Sequence, residues 1–171
     1  MQMASAVIRT AVIDSTGRAG KYLSFALGAE EYAIRVKKVR EIVKVQHITA
    51  VPETPKEIKG VINLRGKVIP VVDLGVKFGL EEKEYGTRTC IIVIELDDSA
   101  SGLMGVIVDE VSEVLTLQEG DIQETPSFGR GVQTHYLIGM AKVKEKVKIL
   151  LDIERALSAD ELLALQEVVK Q

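Results

Sequence analysis

Asn63 and Arg65 stand in "GVINLRGKVIPVVDL", Gly60 to Leu74, a stretch otherwise rich in aliphatic and β-branched side chains. Alternation with Ile62 and Leu64 predicts a strand with both polar groups on one face and both aliphatics on the other. A guanidinium at a strand tip, its stem packed on apolar neighbours, can donate to a carboxylate or to carbonyls of another chain. Asn63 can pin the adjoining turn through its own backbone, and Gly60 and Gly66 are assigned to turn positions. The plainer alternative is a solvated strand end.

Other residues with chemical potential fit no catalytic pattern. Gly60 to Lys67 resembles a phosphate loop, but five residues separate the glycines and Val68 stands where a magnesium-binding Ser or Thr belongs. His47 and His135 have no paired ligand spacing, so no metal site is expected. No G-x-S-x-G turn occurs. Asp73 and Asp152 match in context. Paired carboxylates can do acid–base work, but each directly precedes a short helix, so both are assigned as N-caps. Glu41 and Glu113 also match, either as solvated charges or as a charged rim beside Val36, Val39 and Val111. Phe128, in the polar "TPSFGRGVQ", either folds onto the core or anchors a partner.

The elements that must position these groups follow from composition. The 171 residues are 46% hydrophobic and only 4% aromatic, so the core is built from Val, Ile and Leu, which favours sheet. Net charge is −3 with charges scattered, which argues against a nucleic-acid surface. The single cysteine, Cys90, excludes an internal disulfide and fits a reducing compartment. The N-terminus makes a poor signal peptide and no apolar run spans a bilayer, so a cytoplasmic protein without membrane insertion is expected. Residues 1–18 are read as a disordered tail.

Strands are expected at "YLSFAL", "EEYAIR", "GVINLRG", "KVIPVVD", "RTCIIVIEL", "GLMGVIVDEV", "YLIGMAKV" and "KVKILLDI". A helical turn is expected at Pro55 to Lys59 and a short helix at "LGVKFG". Pro70 marks its strand as an edge or a bulge. Residues 158–171 read as a C-terminal helix opened by a capping box, Ser158 and Glu161. "VKKVREIVKVQ" (Val36 to Gln46) overlays "VDEVSEVLTLQ" (Val108 to Gln118) at an offset of 72 residues (111 − 39), and "VVDL" resembles "LLDI". A duplicated all-β unit follows: a domain over 19–157, with halves at about 19–85 and 86–157, forming a pair of small barrels whose seam favours binding.

"GVINLRGKVIPVVDL", together with "YAIRVKKVREI", "GVIVDEVSEVL", "YLIGMA" and "ILLDIERAL", resembles the CheW family of bacterial chemotaxis coupling proteins, from about Lys21 to about Leu165. The resemblance implies an all-β fold: two small intertwined five-stranded SH3-like β-barrels packed together, with short connecting helices. It implies a non-enzymatic, cofactor-free adaptor joining methyl-accepting chemotaxis receptors to the histidine kinase CheA in receptor arrays. A receptor helical hairpin would dock between the barrels against Val36, Val39, Glu41, Asn63, Arg65 and Val111. Phe128 would lie at a second contact with the kinase regulatory domain. A related form carries a fused phosphoacceptor receiver; the unfused form is expected here. A small-molecule-binding barrel is the alternative, disfavoured because barrels this small are filled by side chains.

Overall fold

The structure, a computed structural model, describes residues 17–96, 102–126 and 135–157. Phe128 and the expected helix at 158–171 lie outside them. Eleven strands are described: β1 (Gly20–Leu27), β2 (Glu30–Arg35), β3 (Val39–Lys44), β4 (Ile58–Leu64), β5 (Lys67–Asp73), β6 (Cys90–Glu95), β7 (Leu103–Val108), β8 (Glu110–Leu117), β9 (Ile122–Gln123), β10 (Leu137–Val143) and β11 (Lys146–Leu151). Two one-turn helices, α1 (Leu74–Lys77) and α2 (Ile153–Ala156), follow β5 and β11. A 3-10 turn at Val36–Lys38 precedes β3, which resolves the mixed helical and strand signal of "VKKVREIVKV".

The strands form two sheets. One has six strands in the order β8-β1-β2-β11-β10-β9, the other five in the order β3-β6-β7-β5-β4. The sixth strand of the first sheet is only two residues long. Both sheets close on themselves. In the five-stranded sheet the segment after β3 bridges Thr49 to Val61 of β4, with N–H···O distances of 2.8 and 2.9 Å. In the other, β9 continues the chain from β8 through a 3-10 turn (Glu119–Asp121) and pairs with β10.

The sheets do not divide the chain near residues 85 and 86. The six-stranded sheet takes β1 and β2 from the N-terminal part and β8 to β11 from the C-terminal part, while the other takes β3 to β7. The two repeats have thus exchanged their first hairpins. The registers match across the exchange. Ala33 and Ile34 pair parallel with Leu150 and Leu151, and Gly105 and Val106 pair parallel with Val71 and Val72. These positions are related by offsets of 72 (105 − 33) and 79 (150 − 71). Even the bulges correspond. The β1–β8 ladder skips Ser112 and the β3–β6 ladder skips Arg40, again 72 residues apart (112 − 40).

Alternation along the central strands explains their composition. Ile91 and Val93 face the interior of the five-stranded barrel, while Ile92 and Ile94 face a core shared by both sheets. Likewise Tyr22 faces the six-stranded barrel, while Leu23 and Phe25 face the shared core. A strand buried on both faces has no polar face, so "CIIVI" runs as unbroken hydrophobics.

Three local expectations need correction. Pro55 to Lys59 forms a single turn, Ile58 N–H to Pro55 C=O at 3.0 Å, because Ile58 already starts β4 and pairs with Val72. Of the two alternatives for Pro70, the edge fails, because β5 lies between β7 and β4, while the β4–β5 ladder does shift register beside it, between Ile58 and Gly60 opposite Val72 and Val71. The β5–β7 ladder starts at Val71, one residue after Pro70, so the missing N–H falls outside it. Arg18, assigned to the tail, is held by Glu119, which accepts from its backbone N–H at 2.8 Å and pairs with its guanidinium at 3.2 Å.

Candidate protein-docking site

The stretch with Asn63 and Arg65 forms the β4–β5 hairpin, and only Asn63 is within a strand. Arg65 and Gly66 are the two central residues of the turn, with φ of +51° and +87°. Positive φ at both positions is the two-residue geometry that matches strand twist. The alternation reading put Arg65 on the strand face; the turn instead lifts it to the hairpin tip. The Asn63 carboxamide oxygen accepts from the Gly66 N–H at 2.7 Å and fixes that tip.

Barrel closure then decides what Arg65 meets. β3 and β4 are the two ends of the sheet order, and closure places them side by side. The Gln46 amide donates to the Asn63 carbonyl at 2.9 Å across the same junction. The Arg65 guanidinium pairs with the Glu41 carboxylate of β3. The Arg65 side chain is 69% exposed and that of Glu41 30%. Each is the other's one ion-pair partner among the described residues. Such a pair is worth about 0–1 kcal/mol in water, so a partner protein can open it at small cost.

Around this pair, Ile42 and Val68 are exposed at 42% and 48%, on β3 beside Glu41 and on β5 opposite Asn63. Val36 and Val39 are half-buried against the shared core at the start of the same segment. Val111 is half-buried against that core too, but it belongs to β8 of the six-stranded sheet, in the place Val39 has on β3. The structure therefore pairs Glu41 with Arg65 directly and uses Asn63 to fix the turn that carries Arg65, while Val36 and Val39 pack on the shared core at the start of the segment that carries Glu41. Val111 lies on the other sheet.

The remaining assigned residues serve the framework. Asp73 caps α1, accepting from Val76 N–H at 3.2 Å and from the Tyr85 hydroxyl at 2.8 Å. Burial and the Asp73 carboxylate push the Tyr85 hydroxyl well above its ordinary pKa. Asp152 caps α2 through Arg155 N–H at 3.3 Å. Neither aspartate is arranged as an acid–base pair. Gly60 lies inside β4 at a register shift and not at a turn; its φ is +136°, and a Cβ there would collide with the Thr49 carbonyl that closes the barrel. No group of three His, Cys, Asp or Glu that could hold a metal occurs among the described residues. Among them, no helix is long and apolar enough to cross a membrane.

Two features went unread in the sequence. Four of the seven Phe and Tyr residues form one row, with centroid distances of 6.2 Å (Phe25–Tyr32), 5.7 Å (Tyr32–Phe78) and 5.6 Å (Phe78–Tyr136). They come from four separate segments, so no spacing signals them. The other is Lys148, whose side chain is 3% exposed inside the six-stranded barrel. Its ammonium donates to Ser24 and Glu31 at 2.8 Å each and to Glu113 at 3.4 Å. The hydrogen bond from Lys148 holds the Glu31 carboxyl below its ordinary pKa. A lysine in a "KVKILL" strand reads as solvent-facing until its cross-strand partners are known.

The described residues thus form a duplicated, two-sheet all-β protein with an exposed ion pair at one hairpin tip. The CheW-like domain family model matches residues 21–161, so the chain belongs to the CheW-like family. It is 39% identical over 150 residues to the chemotaxis protein CheW of Klebsiella aerogenes, covering 88% of this chain and 89% of that one. It is 38% identical over 133 residues to chemotaxis protein CheW of Bacillus subtilis, covering 78% and 81%. The crystal structure of scaffolding protein TtCheW from Thermoanaerobacter tengcongensis superposes with a TM-score of 0.71 at 34% identity, covering 84% of this chain and 91% of that one.

Proposed function

We propose that this protein is a non-enzymatic adaptor that couples chemoreceptors to the histidine kinase CheA in chemotaxis. The Arg65–Glu41 pair carries the reading. It is exposed, fixed in place by the Asn63-pinned turn, and flanked by exposed aliphatics. Apolar surface beside an exchangeable charge pair suits the side of a helical hairpin, whose carboxylates and amides can replace Glu41 as acceptors for Arg65. Val36, Val39 and Val111 would border the seam between the sheets, and a receptor tip would lie along it. Phe128 is assigned to the second kinase contact. The protein would reside in the cytoplasm and reach membrane receptor arrays only through its partners.

Coupling on this model is positional. The adaptor holds receptor and kinase in a fixed relation, and signal passes through contacts that differ between two array states. Each contact can be weak, because linkage in an array raises effective concentration. Calorimetric titration with a receptor cytoplasmic-tip fragment, and separately with the CheA regulatory domain, tests the reading. Binding to both is expected. Binding to neither, at concentrations up to about 1 mM, would overturn it.

A further inference from the structure

The duplicated fold presents the docking surface twice. Arg65 corresponds to Lys144 (144 − 65 = 79), each the first residue of a two-residue hairpin turn with φ of +51°. Glu41 corresponds to Glu113 (113 − 41 = 72), each following the matched bulge. Lys144 and Glu113 pair at 4.0 Å, as Arg65 pairs with Glu41. The exposed aliphatics repeat as well: Ile42 and Val68 on one sheet, Val114 at 56% and Val147 at 52% on the other. Turn backbone, ion pair and exposed aliphatics thus repeat, and the one surface difference at the tip is Lys142 in the place of the turn-pinning Asn63 (142 − 63 = 79).

Beneath the surface the two differ. Lys148, Glu31 and Ser24 occupy the places of Ile69, Leu103 and Val93 (148 − 69 = 79; 103 − 31 = 72; Ser24 and Val93 each pair with the repeat's glutamate). Ile69 and Val93 are buried in an apolar interior, so nothing below Glu41 competes for its carboxylate. Below Glu113 sits the buried Lys148 ammonium, which binds Glu113 from inside. Pulling Glu113 outward would strip a buried cation of one of its three partners, a far larger cost than opening an exposed pair.

We infer that Lys148 is a specificity-determining positioning residue: by tethering Glu113 from within, it leaves the duplicated fold one receptor-competent surface, the one at Glu41 and Arg65, instead of two. The inference rests on the adaptor reading and names what confines it to one sheet. Its chemistry is the choice between an exchangeable and a locked carboxylate at otherwise matched positions.

The test is calorimetric stoichiometry with a receptor-tip fragment. Wild-type protein should bind one fragment per surface-competent site, hence one per chain. A full-length variant carrying Lys148→Ile, Glu31→Leu, Ser24→Val, Lys144→Arg and Lys142→Asn copies the other barrel's interior, its cation and its turn pin. If folded by circular dichroism, it should bind two, and a single event would overturn the inference. Should that variant not fold, single substitutions decide. Lys144→Gln should leave receptor affinity within about twofold of wild type, while Arg65→Gln should lower it roughly tenfold or more. Equal losses from the two would overturn the inference. A wild-type protein that binds no receptor fragment at all would instead overturn the adaptor reading, and this inference with it.

Discussion

Arg65 of the β4–β5 tip reaches Glu41 of β3, 24 residues earlier in the chain, across the junction where the two ends of the sheet order meet. The pair therefore forms only after the barrel closes. Its chemistry is local, but its geometry depends on every strand of that sheet.

Reversing one charge of this pair separates stability from binding. Arg65→Glu should change unfolding free energy by no more than about 1 kcal/mol, since the pair is exposed. Receptor affinity should fall roughly tenfold or more. Adding Glu41→Arg in the same molecule restores a pair of reversed polarity. It should recover the stability but not the affinity, because the cation then stands on β3. Urea denaturation and calorimetry on the three variants check both parts.

The two hairpin tips differ in what a glycine would do there. Lys144, with φ of +51°, bears the left-handed cost of about 1–2 kcal/mol that any L side chain meets. Lys144→Gly should raise stability by up to about 1 kcal/mol in urea denaturation, with no loss of receptor binding. Arg65→Gly relieves the same strain but should abolish the docking contact.

Gly60 and Gly66 should respond very differently to alanine. At Gly60 the added Cβ meets the Thr49 carbonyl in the closing bridge, so Gly60→Ala should cost about 3 kcal/mol or more and yield little folded protein. Gly66 has positive φ but open space around its Cβ direction, so Gly66→Ala should cost about 1 kcal/mol. Thermal melts of both variants distinguish backbone collision from backbone strain.

Glu31 gives the fold an acid-sensitive element. Its pKa is lowered from 4.5 in the folded protein, chiefly by the Lys148 hydrogen bond. A carboxyl depressed on folding stabilises the protein above its unfolded pKa. That contribution is lost as pH falls below about 4.5 through the folded value. Glu31→Gln should lower stability at pH 7 and flatten the decline below that pH. Melting temperatures of both proteins from pH 7 to pH 3 would show it; parallel curves would contradict it.

The sequence carried the architecture further than the site. Strands, the duplication and the N-caps are set by local patterns: period-2 hydrophobics, repeated "V-x-x-V-x-E" segments, and Asp before a short helix. The hairpin exchange between repeats left no local trace, because β2–β11 and β5–β7 pairings join residues more than 30 positions apart. Asn63 was legible as the residue pinning its turn. Arg65 was legible as a cation at the strand tip, but not as the first residue of the turn itself, because a non-glycine residue at positive φ has no strong sequence signal. Lys148 was invisible for the same reason as the exchange: its partners Ser24, Glu31 and Glu113 come from three other strands.

The most direct test of the adaptor account is calorimetric titration of a receptor cytoplasmic-tip fragment into wild-type and Arg65→Glu protein, each first shown to be folded. The account predicts saturable binding to wild type and a roughly tenfold or greater loss in the variant. Equal affinity for both proteins would contradict it.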